Sequence, residues 1–575
     1  MREVKIENWV GENQSIILFA VQRLDELLFF YTQDTYKPNI YNTKTLFEEY
    51  LDVAKKINNG LLDKKNEGHI IEEILWSLKY DKEAKELIGL NLYEDFRKTV
   101  GGYSLNDKVK CIRYLKSFLS GKSYLDKIKD NLKNRMNTGE KKEVDRLLKQ
   151  FVCEVKNCGY DNRYIYKMLK KYMVSAKTVS QSNFDAFLEH FSCESSQYTV
   201  YIVVNQELAE VGVNIVNAIR GIEIEIISDI PNGICVQRDE KVLRFKQVEA
   251  LDEFTAIDSA NELINIMGYF YSFYRHNIKV QIRSRYVEKE GEQLHIVKPE
   301  VRGIKKSAQI YSREESTNGA NDLLKLSMTS LKNFYMLTRI MEIHSTAIEM
   351  ESSSNSLLDL WSILELILEK DLQKNDKSRI TQIVGMLEPF IKNSYINQIM
   401  KTLNDDFKRW NKEEYKQILS TVTYGTSEIE KIFAFVTLDV YQKLREDVYD
   451  KLDQYPLLRY RIFNLNELFS NTKNIKNMIS EHEKKTTWHI HRIYRARNCI
   501  IHDGEQIQHM DELVENLHYY IDVLGKGIVK LLNNHKDMYM IDDCLYEMNV
   551  KERLFMNFLQ EEKINSDNFL YLLEH

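Results

Sequence analysis

TWHIHRIYRARNCIIH, residues 487–502, runs for sixteen residues without a glycine or proline, and Gly504 stands just beyond it. An uninterrupted segment closed by glycine predicts a helix that stops at Gly504. At about 100° per residue, His491, Arg495, Asn498, Cys499 and His502 fall on one side. Ile490, Ile493, Ile500 and Ile501 fall broadly on the other, so an apolar stripe anchors the helix and a polar face looks away from it. Six of the 13 histidines lie between His482 and His518, the one place in the chain where they concentrate.

Outward from this helix the chain keeps the same texture. It has only 5 prolines and 21 glycines in 575 residues, so long helices are expected and the fold class is mainly α. At 575 residues it exceeds one hydrophobic core and divides into about three or four folding units. Residues 1–195 read as a helical N-terminal region. Ile70, Ile71, Ile74, Leu75 and Leu78 recur at helical spacing, as do Tyr114, Leu115, Phe118 and Leu119. Basic residues between Lys127 and Lys149, and Lys167, Lys170 and Lys171, lie near Tyr160, Tyr164, Tyr166 and Tyr172. Such interleaving can hold a nucleic-acid strand, but acids are mixed in, and solvated helix faces are the preferred reading.

The pattern changes at residue 196. YTVYIVV (198–204) has strand length and β-branched composition, and GIEIEIISDI (221–230) alternates apolar and acidic residues with period two. After the turn at Pro231, Asn232 and Gly233 come the strand-like ICVQ and VLRFKQV, a helix from about Ala256 to Tyr274, then KVQIRSRYV (279–287) and LHIVKP. Residues 196–312 are therefore expected to form a small α+β middle domain, with Lys279, Arg283 and Arg285 on one strand face. SREESTNGAND (312–322) reads as a polar linker, and residues 313–575 as a C-terminal all-helical bundle.

The net charge of −6 argues against a protein that coats nucleic acid through bulk charge; a local basic cleft remains compatible with it. The seven cysteines include no CxxC pair, so reduced thiols are expected. MREVKIENWV at the start has early acids and no long apolar core, so no secretory signal is expected. Ser15 to Val21 is too short to span a bilayer, and a cytoplasmic location with no membrane partner is the expectation. No i, i+4 histidine pair with a glutamate makes an HExxH arrangement, so neither a zinc site nor any other cofactor is expected.

Arg497-Asn498-Cys499-Ile500-Ile501-His502 resembles the RNxxxH form of the Rx4-6H motif of HEPN domains, and Asp503-Gly504 after it is similar to the Apea-like group of that family. Leu358 to Glu365, LDLWSILE, looks like the family's helix ending in an apolar–Glu pair. The resemblance spans roughly residues 320–535. It implies an all-helical, metal-independent endoribonuclease that works by 2'-hydroxyl attack, leaves 2',3'-cyclic phosphates and builds a composite site across a homodimer or higher homo-oligomer. It also implies antiphage defence or a toxin-like effector, with the two upstream regions restraining it until a phage-derived or nucleic-acid trigger arrives.

The chemistry fits the residue types. RNA carries its own nucleophile, so the site need only move protons and stabilise charge. His502 is the expected general acid/base, Arg497 the phosphate clamp and Asn498 the orienting amide. Arg495, His491 and Glu365 are the expected supporting residues. On a regular helix Arg497 lies roughly 140° from His502 and Arg495 within about 20°. Two roles are thus open for Arg497: phosphate contact, or a structural pair with Glu365. Trp361 and Trp488 are read as core, and His489 and His491 as exposed helix residues. The alternatives are a non-catalytic HEPN module for dimerisation or RNA binding, and the toxin half of a pair silenced by a partner.

Overall fold

The computed structural model describes residues 14–28, 41–121, 123–175, 180–209, 223–274, 276, 281–298, 313–327, 331–368, 378–504, 507–534, 541–561 and 564–573. The first ten residues, Lys279 and the side chain of Asp503 lie outside them. The protein is mainly α, 75% helical, with one antiparallel sheet in its middle region.

Ten helices build the N-terminal region: α1 (Gln14–Leu28), α2 (Thr43–Asn58), α3 (Glu67–Tyr80), α4 (Lys82–Ile88), α5 (Leu90–Thr99), α6 (Leu105–Ser117), α7 (Ser123–Thr138), α8 (Lys141–Cys158), α9 (Asn162–Leu169) and α10 (Gln181–Glu189). Their apolar faces share one core, from Ile16 to Phe191. The tyrosines near the basic residues belong largely to that packing. Tyr160 stacks on Tyr164 and meets Phe191 edge-on, and Tyr164 and Tyr172 both reach His190.

The middle region contains β1 (Ser196–Asn205), β2 (Glu223–Ile227), β3 (Glu240–Ala250), α11 (Glu253–Tyr274), β4 (Ile282–Lys289) and β5 (His295–Val297). The sheet order is β2-β3-β1-β4-β5. Strand β1 is central and buried on both faces: Val200, Ile202 and Val204 pack with α11, while Tyr201 and Val203 join Ile234, Val242 and Tyr286 on the reverse. That is why its sequence is apolar without alternation. Strand β2 lies at the edge, with Ile224 buried, Ile226 exposed, and Glu223 and Glu225 paired with Lys246. ICVQ makes no strand. Arg285 donates to Asn261 of α11 and Arg283 pairs with Glu240, so both are committed inside the sheet domain.

The polar stretch read as a linker is helical from Arg313. Helix α12 (Arg313–Ser327) packs against two helices further along the chain, and tertiary contact outweighs its glycine and hydroxyl residues. Next come α13 (Leu331–Glu349), α14 (Ser353–Leu368), α15 (Arg379–Trp410), α16 (Lys412–Thr421), α17 (Glu428–Thr437), α18 (Gln442–Asp450), α19 (Pro456–Phe469), α20 (Thr472–Asp503), α21 (Met510–Asn534) and α22 (Ile541–Glu561). This region holds two cores. Helices α15, α20 and α22 run through both: α15 gives Ile383 to Ile391 to one and Tyr395 to Phe407 to the other.

Cys158 and Cys193 form a disulfide between the end of α8 and the residues leading into β1. This corrects the expectation of reduced thiols throughout: the two are 35 residues apart in sequence and only the packing of α8 against that segment brings them together. The other five cysteines are unbridged. No helix among the described residues is long and apolar enough to cross a membrane.

Candidate functional site at the end of a long helix

Helix α20 starts at the side-chain cap of Asn471 and ends at Gly504, whose left-handed backbone (φ 62°) closes the last turn. Its apolar residues serve two cores, Ile475 and Ile479 in one and Ile490, Ile493 and Ala496 in the other. This anchoring fixes the direction of every polar side chain on the helix.

Several of those side chains face α2 and α3 of the N-terminal region. Trp488 donates to Glu72 at 3.2 Å and its ring lies 5.8 Å from that of Trp76. His491 stacks on His69 with ring centroids 3.7 Å apart. Arg492 binds Glu49 at 2.8 Å and Glu73 at 2.6 Å, with its guanidinium over the Tyr41 ring. Arg495 donates to the same Glu49 at 2.6 Å. His489 points elsewhere, its Nδ1 3.0 Å from the hydroxyl of Tyr520 on α21.

This buried cluster has strong electrostatics. Burial raises the Glu49 carboxyl, but Arg492 and Arg495 outweigh it and hold the group at about 2. Burial, aided by Glu49, lifts Glu73 above its ordinary value in spite of Arg492. Burial, with His69 and Arg495 adding to it, pushes His491 down to about 3, and burial beside Arg492 does the same to His489. Both imidazoles are therefore neutral at physiological pH. The expectation that His489 and His491 are exposed is corrected: each is buried.

The last turns of α20 differ. Arg497 and Asn498 are half-buried and His502 is exposed. Arg497 donates to the Asn498 side chain at 3.2 Å and pairs with Glu365 of α14 at 3.5 Å. Glu365 also accepts from Trp361 at 3.0 Å and lies 3.8 Å from Arg379. One carboxylate thus faces two arginines. On a regular helix the amide of Asn498 lies between the Arg497 and His502 directions. Trp361 and Trp488 are core residues, as expected.

The six predicted residues therefore separate into two environments. Arg497, Asn498 and Glu365 form one connected group that His502 adjoins at the helix end. Arg495 and His491 are sealed beneath α2 and α3. Helical spacing placed Arg495 and His491 beside His502 correctly in angle, but it could not show that two N-terminal helices cover that part of the face. Glu49 and His69, the residues that occupy them, sit more than four hundred positions upstream, and no local spacing marks them.

Comparison with protein-family models, with curated proteins and with solved structures returns no match.

Proposed function

We propose that the chain is a metal-independent endoribonuclease of the kind its C-terminal motif resembles, with His502 as general acid/base, Arg497 as phosphate clamp and Asn498 as the amide that orients them. One observation carries the reading. Between residues 488 and 496 of α20 the arginine and histidine side chains are buried in structural contacts, while in the motif Arg497 is half-buried and His502 is exposed. Arg497 and His502 of one chain point roughly 140° apart, so a complete site needs the helix ends of two copies, and a homodimer is part of the proposal. RNA is the substrate, and the N-terminal helices gripping α20 are the element through which a phage-derived or nucleic-acid trigger would act.

The test is cleavage of RNA by the purified full-length chain in EDTA, with the new ends analysed for 2',3'-cyclic phosphate. His502→Ala is expected to lower the rate by about 10²–10⁴-fold without changing the melting temperature, since an exposed side chain contributes little to the core. Equal, background-level cleavage by wild type and His502→Ala, with and without candidate triggers, would sink the nuclease reading. A non-catalytic RNA-binding or dimerisation module is the second reading, favoured by the Arg497–Glu365 pair. It expects His502→Ala to bind RNA or dimerise like the wild type, which never cuts.

A further inference from the structure

Away from the motif, a second group of imidazoles meets a carboxylate. His344 lies on α13; His518 and Asp522 are one turn apart on α21, so their side chains share a face. The rings of His344 and His518 are stacked, with centroids 4.9 Å apart and planes 25° apart. Both present Nε2 to the same oxygen, Asp522 Oδ1, at 3.7 Å from His344 and 3.9 Å from His518. The three ligating atoms all lie within 4.8 Å of one another.

Both gaps are too long for a hydrogen bond, and two imidazoles compete for one oxygen. The other carboxylate oxygen, Oδ2, is held by Lys526 at 3.4 Å, which leaves Oδ1 turned towards the rings. Two imidazoles and an oriented carboxylate are the donor set that zinc-class ions select, whereas calcium and magnesium prefer all-oxygen shells.

We propose that His344, His518 and Asp522 bind one divalent transition metal ion of the zinc class. Ligand bonds of about 2.0–2.2 Å set donor atoms roughly 3.3 Å apart in a tetrahedral shell, so the two gaps to Asp522 close by about half an ångström each on binding. His344, partly open to solvent, is the side chain able to make that movement. Three protein donors leave a position for water. Helices α13 and α21 both pack on α14, and the ion would tie them to each other as well. The inference is independent of the RNA reading, which requires no metal.

The experiment uses full-length chain stripped with a chelator and dialysed free of it. Zinc is titrated by calorimetry and cobalt by visible absorption, with melting temperature followed in parallel. One ion per chain, cobalt bands of a four- or five-coordinate site and a rise in melting temperature are expected. His344→Ala and Asp522→Asn should each weaken binding at least about tenfold. If His518→Ala fails to fold, those two variants, both at partly open positions, decide the outcome. No binding, or binding of unchanged affinity in both variants, overturns the assignment.

Discussion

His491 and His502 are eleven residues apart on one helix, yet their surroundings are opposite. His502 is exposed to water, while His491 is stacked on His69 and held neutral down to about pH 3. A histidine whose folded pKa lies below its unfolded value gives stability that is complete above the unfolded pKa. That stability is lost as pH falls, because the unfolded chain takes up the proton first. Between about pH 6.5 and 3, His489 and His491 should therefore each reduce stability by about 1.4 kcal/mol per pH unit. We expect the urea midpoint to fall steeply from pH 7 to pH 5. In His491→Gln the slope should lose about one proton's worth, measured by equilibrium unfolding at several pH values. An unchanged slope would mean that the imidazole is already solvated in the folded chain.

At the scale of the element, α20 is positioned by close packing around its neighbours. Helix α21 carries Tyr520, which holds His489, and it crosses α15 at Gly527. A Cβ on Gly527 would stand 2.3 Å from the buried Phe390 ring, so only glycine allows this approach. Alanine there gains helix propensity of about 1 kcal/mol but must displace a core ring. Gly527→Ala should be destabilising by about 1–3 kcal/mol, read as a lower denaturation midpoint with unchanged slope. A neutral or stabilised variant would show that the ring moves aside freely. The opposite lesson comes from α12: its sequence of Ser, Thr, Asn and Gly suggests a linker, but contact with α13 and α21 holds it as a helix.

Over the whole molecule, the N-terminal helices and the C-terminal bundle are joined by buried charge. Arg461 of α19 binds Glu26 of α1 at 2.5 Å and also Asp406 of α15, and Arg492 and Arg495 bind Glu49 of α2. Breaking such a buried pair leaves an uncompensated charge, so these contacts of α19 and α20 hold the two regions together. The junction with the sheet is tied by the Cys158–Cys193 bond, by Lys167–Glu253 at 2.7 Å and by the Asp252 carboxylate, which accepts from the Asp161 amide at 2.8 Å. Closing a loop of 35 residues restricts the unfolded chain by about 3–4 kcal/mol. Cys158→Ser should lower the stability of the oxidised protein by that order, and dithiothreitol should lower the wild type to the same midpoint. Equal midpoints for oxidised wild type and variant would show that the bond does not form in solution.

The sequence by itself determined the elements: period and composition located β1, β2, β3 and the helix α11, and the glycine after a long apolar-striped run located the end of α20. These are local signals, because propensity, alternation and caps act within a few residues. It also pointed to Arg497, Asn498 and His502, whose joint role belongs to the proposed function. Only the tertiary structure decided which polar residues of that helix stay open. It was the tertiary structure, too, that paired Arg495 with Glu49, His491 with His69, Cys158 with Cys193, and His344 with His518 and Asp522. Burial and charge pairing depend on which distant segments come to lie over a face, and spacing along one segment carries no information about its cover.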